Sequence, residues 1–317
     1  MRVFVTGATG FIGFAVVQDL LAAGHQVTGL ARSAASGRKL VDAGAQLVVG
    51  SVEDGDCLRR VAMASDGAIH TAFYHKISHL PLRTRMWVML GGTPGGIVQR
   101  FMKAAVDADR RTLETLGEAL LRVNGPLVGT FATLALPEGR LGTEQDCFDK
   151  AFFGAPRAET EDTLQQLAGR GVRTSAVRLP PVVHGAGDHG FAWRLIETAR
   201  KKKESAYVGH GENRWPSVHR LDAARLFRLA LEKGTPGGTY HGVAEEGIAF
   251  RQIAGLIGQQ LKVPVVSKSS AEAARHFSFL APFVVRDNRA SNALTQERLG
   301  WRPEQMGLLA DLKANYF

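Results

Sequence analysis

Hydrophobic and polar positions along the first half of the chain alternate between two periods. Residues 2–6, "RVFVT", form a β-branched apolar run that predicts a buried strand. Residues 11–23, "FIGFAVVQDLLAA", place Phe14, Val17, Leu20 and Leu21 at helical spacing, and Gly24 stops the helix. "HQVTGLAR" predicts the next strand. The unit then repeats: "KLVDAGA" as a short helix, "AQLVVGS" as a strand, "EDGDCLRRVAMAS" as a helix and "GAIHTAF" as a strand. "DRRTLETLGEALLRV" predicts a long helix, followed by the strands "PLVGTFATL" and "GVRTSAVRLPPVV". Strands alternating with helices of this length imply an α/β fold, a doubly wound parallel sheet covered on both faces.

Beyond residue 183 the pattern loosens, with helices at 222–232 and 251–261 joined by irregular stretches. The expected organisation is a domain over 1–183 to which a segment near 216–243 returns. Residues 184–215 and 244–317 would form a smaller substrate-binding region.

Composition changes this picture little. The longest apolar stretches, "FIGFAVV" and "MWVML", fall short of the ~20 residues that span a bilayer. No charged leader with an apolar core follows Met1, so a cytoplasmic chain without a membrane partner is expected. Cys57 and Cys147 are the two cysteines, with no CxxC spacing, so neither a disulfide framework nor a zinc site is signalled. A net charge of +9 invites a nucleic-acid reading, but the cations are scattered. Their one dense cluster, Arg200 to Lys203, closes a helical segment where cations offset the helix dipole. No nucleic-acid partner is expected; the chain would be a monomer or homodimer.

The segment "TGATGFIG" changes the picture most. Gly7, Gly10 and Gly13 lie between the first strand and first helix, as a dinucleotide-binding Rossmann fold requires. The glycines permit a tight turn, close approach to a pyrophosphate, and close helix–strand packing. Here the chain resembles the short-chain dehydrogenase/reductase superfamily in its extended or atypical, epimerase/dehydratase-like branch. Thr6, Gly7, Gly10 and Gly13 match its TGxxGxxG. "RLPPVVHG" is similar to its R-P-x-x-V-Y-G element, "GHGENRWPSVHRLDAARLFRLAL" to its G-x-G…V-x-x-x-D-x-A segment, and "ERLGWRP" to its LGW-x-P ending. The resemblance implies a nicotinamide cofactor held by Thr6, Gly7, Thr9, Gly10, Phe11, Ile12 and Gly13. Further contacts would come from Arg32, Ser33, Ser51, Val52, Ala72, Arg157 and Pro180.

An acidic side chain ending the second strand would hold the ribose hydroxyls of NAD. "VTGLARS" instead has Ala31, Arg32 and Ser33 there, which favours NADP(H), with NAD(H) possible. The family would often place an Asp where Ser51 sits.

The same resemblance implies a Tyr and a Lys four residues apart as the acid–base pair. The four tyrosines are followed at that distance by Ser78, Gly211 and Ala244, and Tyr316 is next to last, so no YxxxK exists. Arg157 with Glu161 reproduces the spacing of the family's Lys and a following Glu, which puts Phe153 where the Tyr belongs. Phe has no ionisable proton, and a guanidinium stays protonated. Thr130 and Thr133 lie near the family's catalytic Ser/Thr. Among histidines, His75 follows the fourth strand, His184 replaces the Tyr of V-Y-G, and His189 lies in "HGAGDHG". The candidate catalytic residues are therefore Thr133, Arg157 and His75. The candidate substrate contacts are Thr130, His184, His189 and Trp215. No HExxH or compact ligand set suggests a metal, and no GxSxG elbow suggests hydrolysis. Three functions stand: an NADP(H)-dependent oxidoreductase of a small carbonyl or alcohol, a non-catalytic NADP(H)-binding redox sensor, and an epimerase- or dehydratase-like enzyme.

Overall fold

The structure, a computed structural model, describes residues 1–149, 152 and 155–317, apart from the side chains of residues 94 and 155–158. In chain order the first half gives β1 (Arg2–Thr6), α1 (Phe11–Ala22), β2 (Gln26–Ala31), α2 (Ala34–Asp42), β3 (Gln46–Val49), α3 (Gly55–Met63) and β4 (Gly67–His70). Next come α4 (Leu82–Leu90), α5 (Ile97–Val123), β5 (Pro126–Ala132), α6 (Ala155–Gly169), β6 (Arg173–Leu179) and β7 (Val182–His184). The expected sixth strand is thus two, because Pro180 and Pro181 interrupt it and proline donates nothing to a ladder. The long helix starts twelve residues before the expected Asp109, at Ile97, and α4 precedes it.

Local chemistry sets several helix starts. Ser33 and Ser36 form a reciprocal capping box at α2, and the Asp54 side chain accepts from the Cys57 amide at α3. Each such cap is worth about 1 kcal/mol.

The main sheet runs β10-β6-β5-β4-β1-β2-β3, where β10 is Gly238–His241. β1 pairs in parallel with β2 on one side and β4 on the other, and β2–β3 and β4–β5 are parallel too. Strand order therefore reverses between β1 and β4, and open α/β sheets take ligands beyond the carboxyl ends of the strands at such a point.

The chain forms two compact units. The first comprises Met1–Phe131, Lys150–Ala176 and Phe227–Gly238; the second comprises Ala132–Asp149, Val177–Leu226 and Thr239–Phe317. The expected division assigned 132–149 and 177–183 to the first domain, and most of the return segment with them. In the first unit, Phe4, Leu58, Leu113, Leu116, Leu120 and Leu127 pack in one core. Truncating one such leucine to alanine costs about 2–5 kcal/mol.

The second unit contains α7 (Phe191–Lys202), β8 (Ser205–Val208), β9 (Arg214–His219), β11 (Glu245–Ala249), α9 (Phe250–Leu261), β12 (Val265–Lys268), α10 (Ser270–Phe277), α11 (Ala281–Val284), α12 (Ala293–Leu299) and α13 (Leu308–Asn315). Helix α8 (Arg220–Lys233) begins in it. β9 lies between antiparallel β11 and parallel β7, and β8 pairs in parallel with β12. The buried Asp222 carboxylate accepts from the amides of Glu304 and Gln305, while the Trp301 indole donates to the Asp222 carbonyl. Two separated sequence motifs thus meet at Asp222.

His241, fully buried in the second unit, has its Nδ1 2.8 Å from the Ser291 carbonyl, with Arg178 beside its Nε2. Burial first, and the Arg178 charge second, lower its pKa from 6.5 to about 3. The folded state thus refuses a proton that the unfolded chain takes up below about pH 6.5. Unfolding free energy should fall as pH drops from there toward 3, with no contribution from this group above that range. His241→Asn should flatten that slope in denaturant titrations across the same pH series.

Candidate functional site

The glycine loop closes β1 onto α1 in the first unit. Gly7 has φ +68°, in the left-handed region where a side chain is strained. A Cβ on Gly7 would lie 2.6 Å from the Ala72 amide nitrogen and from Thr71 Oγ1. A Cβ on Gly13 would lie 2.2 Å from the Gly7 carbonyl oxygen and 2.7 Å from Thr71 Oγ1. Both glycines are therefore demanded by backbone contact. Gly10 differs: its amide donates to the Gly7 carbonyl at 2.8 Å, and a Cβ would meet that oxygen at 3.1 Å. It is also the N-cap of α1 and gives no side-chain cap, so this helix start is open to an anion. Thr9, Phe11 and Ile12 are half-buried around this turn.

Thr71 is the wedge between the two glycines. Its hydroxyl donates to the Thr6 carbonyl at 2.8 Å. Beneath it runs a buried polar chain that the sequence reasoning missed. Thr6 Oγ1 lies 2.6 Å from His70 Nδ1, and His70 Nε2 lies 2.9 Å from Asp109 Oδ1 on α5. In the tautomer whose Nε2–H donates to Asp109, Nδ1 is the acceptor for the Thr6 hydroxyl. The signal was present as a histidine inside a strand, a polar residue needing a buried partner, but its partner lies on another element. Thr130, expected near the substrate, donates its hydroxyl to the His70 carbonyl at 2.7 Å.

Arg32 and Lys76 set positive charge near the carboxyl end of β2, where both act on His79. Arg32 is exposed directly after β2, and Ser33 is engaged as the α2 cap. Lys39 lies over the Phe14 ring at 4.6 Å from its centroid. Ser51 Oγ accepts from the Glu53 amide and bonds the phenol of Tyr74. Burial pushes that phenol up, with Glu53 adding to the shift and Arg32 opposing it. Val52 is half-buried, and its carbonyl accepts from Thr112. Burial pulls His79 down, and the charges of Arg32 and Lys76 pull it further. Glu53, an acid close by, is paired with Arg111 at 3.1 Å. His75 is exposed with its ring 5.4 Å from Phe73, and Ala72 is half-buried against Gly7.

Phe153 lies outside the described residues, as does the side chain of Arg157. Position 157 falls on α6, which begins at Ala155 with Pro156 in its first turn, as the sequence implied.

The remaining candidates belong to the second unit. Thr133 is fully buried, its hydroxyl donated to Asn288 Oδ1 at 2.9 Å. Pro180 is buried between β6 and β7. Trp215 is fully buried among Phe191 and Phe250, so it belongs to that unit's core. His189 is exposed beside Trp193. His184 is buried with Nδ1 2.7 Å from Asp311 Oδ2, while its Nε2 has no hydrogen-bond partner among the described residues. His219 lies edge-on to it, its pKa lowered by burial and then by His184. Tyr316 donates to Asp188 Oδ2 at 3.0 Å, and burial raises both groups. Among the described residues no cluster of His, Cys, Asp and Glu could hold a metal ion.

The model of the NAD dependent epimerase/dehydratase family matches residues 3–80, from β1 through the glycine loop and Arg32 to the turn beyond β4. An uncharacterized protein of Schizosaccharomyces pombe is 46% identical over 100% of both chains.

The chain belongs to the NAD-dependent epimerase/dehydratase family.

This epimerase/dehydratase-family protein is also 27% identical to the 4-hydroxy-2-methyl-3-oxo-4-farnesyl-3,4-dihydroquinoline-1-oxide ketoreductase of Stigmatella aurantiaca, over 87% of this chain and 79% of that one. In fold it is similar to a dTDP-glucose 4,6-dehydratase of Streptomyces venezuelae solved with NAD and TYD bound. That likeness has a TM-score of 0.74 at 19% identity, over 100% of this chain and 96% of that one. The glycine cradle fits a family that uses a nicotinamide dinucleotide, because the space a Cβ would need is taken by backbone on one side.

A graded response at the glycines should follow. Gly13→Ala, which sets a Cβ against backbone, should abolish dinucleotide binding and lower the melting temperature. Gly10→Ala, whose contact is 3.1 Å, should keep the melting temperature within a few degrees and weaken binding less. Fluorescence titration with NADPH and thermal melts of the two variants check this order.

Proposed function

We propose that the protein is an NADP(H)-dependent oxidoreductase acting on a small carbonyl or alcohol substrate without a Tyr–Lys acid–base pair. The observation that carries the reading is the glycine cradle followed, at the end of β2, by a guanidinium in place of a carboxylate. When bound, the nicotinamide ring supplies or accepts the hydride. The chain's own part is to hold the pyrophosphate on the uncapped first turn of α1 and the 2′-phosphate on Arg32, with Lys76 adding to the positive field. Glu53 opposes this little, since Arg111 neutralises it. In the reductive direction the carbonyl carbon takes the hydride and its oxygen takes a proton. That proton comes from a group other than tyrosine, or from water, since no YxxxK is present. The ketoreductase likeness supports this direction.

A second reading is favoured by the family match itself: an epimerase or dehydratase that oxidises its substrate transiently and returns the cofactor to its starting state. The two differ in cofactor balance. A reductase consumes NADPH mole for mole with product, whereas an epimerase-type enzyme releases a retained nicotinamide on denaturation and shows no net change in absorbance. Binding with neither behaviour, across ketones, aldehydes and enones, would favour the redox-sensor reading.

Arg32→Ala should weaken NADPH binding by roughly tenfold to a hundredfold, as expected for a lost charge-assisted hydrogen bond, and leave NADH binding nearly unchanged. Calorimetric titration of both cofactors against wild type and variant checks it. Equal losses for the two would sink the NADP(H) assignment.

A further inference from the structure

We infer that α4 seats this protein on the surface of an anionic phospholipid bilayer. The helix buries one residue, Val88. Its remaining apolar side chains stand in solvent: Leu82 is 62% exposed, Met86 53%, Trp87 44%, Met89 47% and Leu90 76%. At about 100° per residue, Leu82, Met86, Met89 and Leu90 share one arc, on the side away from Val88. Arg85 lies at one margin of that arc, and Arg83 with Trp87 lies at the other. An apolar band bordered by arginines and an aromatic ring is the arrangement of a helix lying in a membrane interface, where long cationic side chains reach back to the headgroups. Shortly beyond the helix, Val98 is 70% exposed and extends the apolar surface.

The charge around this face selects its occupant. Between Asp66 and Asp107 the sequence has no acidic residue, while it carries Lys76, Arg83, Arg85, Arg100 and Lys103. Arg100 is committed to the carbonyls of Val88 and Thr93, and Lys103 to Asp107. Arg83 and Arg85 take part in no ion pair among the described residues. A second copy of the chain is the poorer partner. A two-fold contact through this face would bring both copies' Arg83 and Arg85 together, and the stretch between Asp66 and Asp107 supplies no carboxylate to offset them. An anionic lipid surface offsets them and takes the apolar arc into its acyl boundary.

Among the described residues no helix is long and apolar enough to cross a membrane, and this arrangement needs none. The sequence reading expected no membrane partner because it sought a spanning segment, and "MWVML" is too short for that.

The test is co-sedimentation of the full chain with phosphatidylcholine vesicles, with and without phosphatidylserine, at low and physiological salt. Binding to the phosphatidylserine vesicles is expected, weakened by salt, with Trp87 emission shifting to the blue. The Arg83→Gln, Arg85→Gln double variant should bind about thirtyfold more weakly, roughly fivefold for each arginine. Trp87→Phe should remove the emission change. Arg83 and Trp87 are exposed and Arg85 is half-buried, and both variants should keep the wild-type melting temperature. Absence of binding to phosphatidylserine vesicles at low salt overturns the inference, as does binding that the double variant leaves intact. A solution dimer dissociated by Met86→Ser and Leu90→Ser, without vesicle binding, would give the face to a second copy instead.

Discussion

The contact between the glycine loop and the turn after β4 is the constraint on which the first unit depends. Thr71 fills the angle between Gly7 and Gly13 so closely that neither can carry a side chain. Three things follow from that approach. The loop can reverse tightly, α1 can start without a side-chain cap, and β1 and β4 can lie side by side at the point where strand order turns back. The positions of Arg32 and Ser51 are then fixed in turn, since β2 pairs with β1 and β3 pairs with β2. A cofactor pocket of this type is built from backbone geometry first and side-chain chemistry second.

Each unit handles buried polar groups in its own way. In the first, Thr6, His70 and Asp109 satisfy one another in a line under the loop, which sets the rotamers of groups that touch it. Buried polar networks fully paired in this way rigidify their surroundings, and losing one member leaves the others uncompensated. In the second, the His184–Asp311 pair leaves one ring nitrogen without a partner among the described residues. Asp188 and Tyr316 meet in a setting where burial disfavours ionisation of both. Tyr316 therefore stays protonated around neutral pH, and its hydroxyl remains a donor.

Much of the fold was legible because local signals agreed. The run from β1 to β4 has a strand period, a helix period and a glycine stop in each repeat, and the elements appear within a few residues of expectation. The glycine loop was legible for the same reason, since its spacing admits few other uses. What escaped depended on contacts distant in sequence. Asp109 pairs with a histidine 39 residues away, and Thr133 with an asparagine 155 residues away. No local pattern marks either pair. Trp215, expected to touch substrate, is a core residue, and its complete burial is what shows it. Helix α4 escaped because its exposed face is apolar, against the rule that outward positions are polar. The substitution of Phe153 and Arg157 for the family's Tyr and Lys keeps its chemical force from sequence alone, since Phe153 and the Arg157 side chain fall outside the described residues.

One consequence of the strand order concerns how the chain is made. β10 is an edge strand of the main sheet, next to β6, yet it comes from residues 238–241. While the ribosome is still synthesising the residues between them, β6 has no outer neighbour, and its hydrogen-bonding groups are an open template for another chain. Arg173 at its start is the first cation that could discourage such pairing. The newborn protein is thus most exposed to a wrong partner during the translation of some sixty residues, and a pause in that interval would lengthen the risk without changing the finished molecule.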